Sequence, residues 1–193
     1  MMRLHFVKSA QFIEQFPMED RPEIAIVGRS NSGKSSFLNA LSSQKIAKVS
    51  STPGKTRLLN FFDVGDKYRI VDMPGYGFAA VDNREAGKWK SMIETYLNER
   101  ESLVGLILIM DARRNWQQEE EQIIQWSAES NVPVVVCLNK VDRMKKNEAR
   151  SNLLKFKKQF PDLKFFNTSA KTEPGVTMVE DYAFTQWVSE ELK

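Results

Sequence analysis

The chain has 193 residues, 41% hydrophobic and 27% charged, with a formal net charge of +3. That is one domain of ordinary size with enough apolar material for a real core, which excludes general disorder, and a charge that permits nucleic-acid contact without demanding it. The longest apolar stretches, such as LVGLILIM, fall far short of the roughly 20 residues of a membrane helix; MMRLHFVKSAQF lacks the apolar core and cleavage site of a secretory leader; and the single Cys137 excludes an internal disulfide. These features predict a cytoplasmic chain without membrane insertion, monomeric by default.

In chain order, residues 1–21 read as an N-terminal extension packing on a domain that occupies 22–193. His5 has no partner pattern. The run EIAIV at 23–27 predicts a strand, and GRSNSGKSS follows it directly, before the helix-forming SSFLNAL. Residues 42–57 have no convincing periodicity. Strands are expected at 58–64 and 67–72, joined by the short polar turn VGDK and therefore paired as an antiparallel hairpin at a sheet edge. After a second irregular stretch, 73–83, REAGKWKSMIETYLNER carries Trp89, Met92, Ile93, Tyr96 and Leu97 on one helical stripe. Strands at 104–110, 132–138 and 164–167 alternate with a helix marked by Leu153, Phe156 and Phe160 and a last one from Val179 to Leu192, docked by Trp187 and Val188. The sum is an α/β three-layer sandwich: about six strands, mostly parallel with one antiparallel edge strand, and helices on both faces. Long irregular loops in such a domain are usually functional.

GRSNSGKS matches G-x-x-x-x-G-K-[ST] with Gly28, Gly33, Lys34 and Ser35 at the required offsets and Arg29, Ser30, Asn31 and Ser32 between them. Glycines let the backbone curl so that successive N–H groups face phosphate oxygens, and the following helix adds its positive end. Lys34 supplies charge to the β and γ phosphates, and the Ser35 hydroxyl can ligate Mg²⁺. This places the fold among P-loop nucleotide-binding domains without naming the base.

Asn139, Lys140, Val141 and Asp142 read N-K-x-D directly after the run VPVVVCL. Asp142 can accept from the N1–H and exocyclic amine of guanine, whereas adenine would leave the carboxylate without partners. Thr168, Ser169 and Ala170 follow the last expected strand, where backbone N–H groups could approach the guanine O6. Asp72, Met73, Pro74 and Gly75 form D-x-x-G: the Asp72 carboxylate would hold Mg²⁺ through a water and the Gly75 amide would sense the γ-phosphate. SSTPGKTR offers Thr52 and Thr56 as the second hydroxyl on the metal, with Thr56, just before the hairpin, preferred. All these motifs occur once, in the order of a GTPase, and predict a GTP-binding switch. The residue after Gly75 is Tyr76 rather than a water-orienting glutamine, which predicts unassisted hydrolysis on the order of 10⁻³ per second or below. A GTP-dependent scaffold that does not hydrolyse stays open. A nucleotide kinase is disfavoured, because no arginine-rich lid follows and N-K-x-D has no task there.

PEIAIVGRSNSGKSSFLNAL, SSTPGKTRLLNFF, DMPGYGFA and WKSMIETYL resemble, in order and spacing and over essentially the whole chain, the EngB (YihA, YsxC) family of bacterial ribosome-assembly GTPases, within the larger TrmE-Era-EngA group. The resemblance implies Thr56, in the family's P-G-[KR]-T, as the second Mg²⁺ ligand beside Ser35, and extends the nucleotide-binding set through Gly54, Lys55, Arg57 and Leu58. It gives Lys34, Asn31, Thr56 and Gly75 catalytic roles, with Asn31 matching an asparagine that in related GTPases helps hold potassium. It further implies binding to the large ribosomal subunit or its precursors, through RNA and protein rather than DNA, and a requirement for normal cell division and septation. Asn139 departs from many family members, which have threonine. Arg143, Lys145, Lys146, Arg150, Lys155, Lys157 and Lys158, with Arg113 and Arg114, are either a solvated surface or contacts for ribosomal RNA phosphates.

Overall fold

The structure is a computed structural model that describes residues 4–42, 46, 58–76, 83–172 and 175–192, with the backbone alone over 83–90. It opens with β1 (Leu4–Ala10), then β2 (Glu23–Val27), α1 (Lys34–Leu41), the hairpin strands β3 (Leu59–Val64) and β4 (Tyr68–Asp72), α2 (Asn83–Glu99), β5 (Leu103–Asp111), α3 (Gln118–Ser130), β6 (Val134–Asn139), α4 (Lys146–Gln159), β7 (Lys164–Asn167) and α5 (Val176–Ala183). The helical path continues from α5 through a π-type turn, Phe184–Val188, to Ser189–Glu191.

These strands make one seven-stranded sheet in the order β1-β3-β4-β2-β5-β6-β7. Its parallel core, β4-β2-β5-β6-β7, carries β3 antiparallel to β4 and β1 antiparallel to β3. The hairpin expected at the sheet edge is therefore one strand further in, because β1 pairs along β3 and becomes the edge itself. Only the end residues of β1, Leu4 and Ala10, are buried, so no alternating apolar pattern announces the strand.

Successive side chains of a strand point to opposite faces, and β2 is buried on both. Ile24 and Ile26 pack with Phe37, Leu38 and Leu41 of α1 and with Val176 and Val179 of α5. Ala25 and Val27 pack on the other side, with Met92 and Tyr96 of α2 and Phe156 of α4. A continuous apolar run rather than an alternating one is what such a position requires. Trp187 docks as expected: its indole fills the space over Gly105, where any Cβ would collide with the ring.

The end of the sheet at the start of β2 is closed by charge. Glu23 is fully buried and accepts from Arg69 Nη1 at 3.0 Å, Arg100 Nη2 at 2.6 Å, Arg100 Nε at 2.9 Å and the Tyr96 hydroxyl at 3.1 Å. A carboxylate removed from water costs several kcal/mol unless it is paired and hydrogen-bonded, as this one is. The same two arginines donate to the carbonyls of Met18 and Pro17, lashing the segment after β1 to the domain. The opposite end, where the parallel strands finish, is left for the site.

Candidate nucleotide site

At the end of β2 the loop from Gly28 to Gly33 leads into α1. Gly28 runs so close under the Ile109 carbonyl of β5 that a side chain has no room. Gly33 has φ 105°, and its missing Cβ leaves room for the Asn139 amide. Lys34 is 8% exposed and folds back along the loop, donating to the Gly28 carbonyl at 2.9 Å. Burial lowers the pKa of its ammonium, against the pull of Asp72, and two of its three protons have no partner among the described residues. Ser35 sits half-buried in the first turn of α1.

Asp72 ends β4 beside Lys34. It is 3% exposed, and its Oδ1 has no hydrogen-bond partner among the described residues. Burial raises its pKa to about 6, with Lys34 pulling the other way. A buried carboxylate with an idle acceptor, next to an accessible hydroxyl at a helix start, suits a hydrated Mg²⁺, which prefers oxygen donors and keeps most of its waters. Thr56, the expected second hydroxyl, lies outside the described residues, as do Thr52, Gly54, Lys55 and Arg57. Leu58 is half-buried at the entry to β3. Met73 and Pro74 are buried, and the Met73 amide donates to the Ile26 carbonyl at 3.1 Å. Gly75 lies against the loop: a Cβ there would stand 2.9 Å from Lys34 Nζ and 2.9 Å from the Ser30 nitrogen.

More than a hundred residues downstream, β6 delivers N-K-x-D to the same place. Asn139 Nδ2 donates to the Ser32 carbonyl at 3.0 Å, and Thr168 Oγ1 donates to its Oδ1 at 3.4 Å. Lys140, in the left-handed region with φ 65°, sends its ammonium to the Asn31 carbonyl and to Asp111 Oδ2 at 3.2 Å. Asn31 shares that region at φ 62°, and its exposed side chain has no hydrogen bond among the described residues. Val141 donates its amide to the Thr168 carbonyl, and Ser169 Oγ donates to Asp142 Oδ1 at 2.7 Å. Asp142 is otherwise exposed, so a base that covers it could take the remaining acceptor positions. One expectation needs correction. The Thr168 amide is spent on the Leu138 carbonyl at 2.9 Å, so within Thr168–Ala170 only Ser169 and Ala170 have amides to offer a base.

Sequence patterns missed Asp111. It ends β5 between the loop and N-K-x-D, 5% exposed. Burial alone would raise its carboxyl, but Arg113, through side chain and amide, and Lys140 hold it well below the usual range. The signal was its position, since ligands in open α/β sheets gather at the carboxyl ends of parallel strands.

Residues 23–140 match the family model described as a 50S ribosome-binding GTPase. A probable GTP-binding protein EngB from Bdellovibrio bacteriovorus is 49% identical over 187 residues, covering 97% of this chain and 94% of that protein. The chain belongs to the EngB family of GTP-binding proteins. Another EngB relative, from Vibrio parahaemolyticus, is 46% identical over 156 residues, with 80% of this chain and 71% of that protein covered. Among solved structures, a probable GTP-binding protein EngB shares the fold at TM-score 0.68 and 22% identity, covering 84% of this chain and 97% of that one. The structure of Era in complex with MgGDPNP and nucleotides 1506-1542 of 16S ribosomal RNA aligns at TM-score 0.68 and 25% identity, over 87% of this chain and 57% of Era.

The Asp72 carboxyl sets a pH dependence whose sign follows from its raised pKa. Folded protein keeps this proton up to pH about 6, whereas the unfolded chain releases it near the ordinary aspartate value of 3.8, so stability falls as pH rises through that window. In nucleotide-free, Mg²⁺-free buffer the group should cost about 2.4 kcal/mol between pH 4 and 7. Urea unfolding of wild type and Asp72→Asn across that range should show the slope only in wild type. Parallel curves would contradict the assignment.

Proposed function

We propose that this EngB-family chain binds GTP and GDP with Mg²⁺ and hydrolyses GTP slowly. Residues 22–193 serve as the GTP-binding domain, and 1–21 are an extension that supplies its edge strand. The observation that carries this reading is the Lys140 ammonium, which joins the Asn31 carbonyl of the phosphate loop to Asp111 and so brings Asp142 alongside a loop distant in sequence. Ser35, Thr56 and, through water, Asp72 are the proposed Mg²⁺ holders; the ion would screen phosphate charge, while Lys34 and the loop amides bind the phosphate oxygens. A scaffold without hydrolysis is the second reading, favoured by Tyr76 standing where a glutamine would orient water.

The proposed place of action is the large ribosomal subunit during its assembly in the cytoplasm, with cell division and septation dependent on it. Support comes from the family model's description and from Era, whose structure includes ribosomal RNA. Among the described residues no helix is long and apolar enough to cross a membrane. The surface offered to RNA is α4. Its buried side is Ala149 and Phe156, and Lys146, Arg150, Lys157 and Lys158 stand exposed on the other side around Leu154, which is 58% exposed. None of these four cations joins an ion pair among the described residues, which leaves them available to phosphates.

Titration with labelled GDP, GTP and ATP should give guanine-selective binding, and Asp142→Asn should lose at least tenfold in GDP affinity while gaining for xanthosine diphosphate. Equal affinity for ATP would end the guanine reading. If Asn31 helps hold potassium, single-turnover hydrolysis should run several-fold faster in potassium than in sodium buffer, and equal rates would remove that ion from the site. Loaded with a non-hydrolysable GTP analogue, the protein should co-sediment with large-subunit precursors, less so as salt rises, and Lys146→Glu with Arg150→Glu should weaken this about tenfold. No association of wild type at low salt would sink the ribosomal reading.

A further inference from the structure

Tyr76 occupies the position after D-x-x-G and is held from both its ends. Its hydroxyl donates to Glu120 Oε1 at 2.7 Å. Glu120 lies in the first turn of α3, 3% exposed, and its other oxygen accepts the Gln117 amide at 2.9 Å, so the same carboxylate caps the helix. Burial, and then Glu120, push the Tyr76 phenol far above its ordinary range, which keeps it a neutral donor. On the backbone side, the Tyr76 carbonyl accepts the Ser30 amide at 2.9 Å, and Arg29 and Tyr76 form a parallel bridge between the phosphate loop and the chain leaving β4. Arg29 in turn reaches Glu119 of α3 at 3.3 Å.

Three residues earlier, the Met73 amide is fixed on the Ile26 carbonyl. Gly75 therefore hangs between two anchored residues, packed against Ser30 and Lys34. A peptide held in this way needs no further ordering when a ligand arrives, and preorganisation of that kind favours only the ligand that uses the group held. A terminal phosphate would meet the Gly75 amide, whereas a diphosphate ends short of it.

We propose that Tyr76 is a positioning residue: latched by its hydroxyl to Glu120 and by its carbonyl to Ser30, it presets the Gly75 amide for the terminal phosphate and so sets the preference between GTP and GDP. This rests on the guanine-nucleotide reading of the same site. It gives the residue in the glutamine's place a task other than orienting water, and it makes Glu120 the point at which the nucleotide state reaches α3.

The test is equilibrium affinity of the full chain for GDP and for a non-hydrolysable GTP analogue, in wild type, Tyr76→Phe and Glu120→Gln. Tyr76→Phe keeps the ring and the carbonyl bond to Ser30 and deletes only the hydroxyl's bond to Glu120. It should weaken the GTP analogue about five- to tenfold, part of the worth of a buried hydrogen bond to a carboxylate, and leave GDP within about twofold. Glu120→Gln keeps both a partner for the hydroxyl and the helix cap, and should stay near wild type. An unchanged ratio of the two affinities in Tyr76→Phe, whether both weaken equally or neither does, overturns the latch while leaving guanine-nucleotide binding intact. A wild type that binds neither nucleotide overturns both readings.

Discussion

The site depends on one ammonium group. Lys140 crosses from the end of β6 to the phosphate loop, and its proximity to Asp111 replaces the water it gives up. Without that crossing, the loop and the N-K-x-D segment would be strand-end turns with β5 between them. With it, the loop and the N-K-x-D segment share one rigid piece, and the distance between them is set before any ligand arrives. Asn139 reinforces the joint by donating to the Ser32 carbonyl, and Gly33 leaves the room that its amide needs. Two of the four N-K-x-D residues are therefore occupied with holding the loop, and Asp142 alone of the two charged ones faces outward.

The sheet makes this joint possible by bringing β2, β5 and β6 side by side, so that three strands end together. Burial on both faces leaves those strands little freedom to slide, since a one-residue slip would exchange the Ile24 and Ile26 side with the Ala25 and Val27 side. Precision at the site is thus inherited from packing several residues below it.

How much of this was legible in the sequence followed the range of the interactions. The glycine-rich loop, N-K-x-D and D-x-x-G could be read because each is a pattern of residues only a few positions apart. The parallel strands could be read because burial on both faces demands unbroken apolar runs such as EIAIV. β1 was invisible, since an edge strand with five exposed residues in the middle has no pattern to show. Asp111 and Glu120 were equally silent: each is an ordinary acid in sequence, and its meaning comes from Lys140 or Tyr76 arriving from another element. The Thr168 amide failed as a base contact for a related reason, because the β-ladder had already claimed it.

The buried Glu23 has a consequence for the order of events during synthesis. The stretch at Pro17 and Met18 is held by Arg100 and Arg69, and β1 is held by β3, so these segments have their anchors some 50 to 80 residues later. Contacts so far apart pay their loop-closure entropy late and form slowly. During synthesis the Pro17 carbonyl has no anchor until Arg100, just past α2, has been made. The stretch at Pro17 and Met18 is then among the later parts to settle, although it precedes the central strands in the chain.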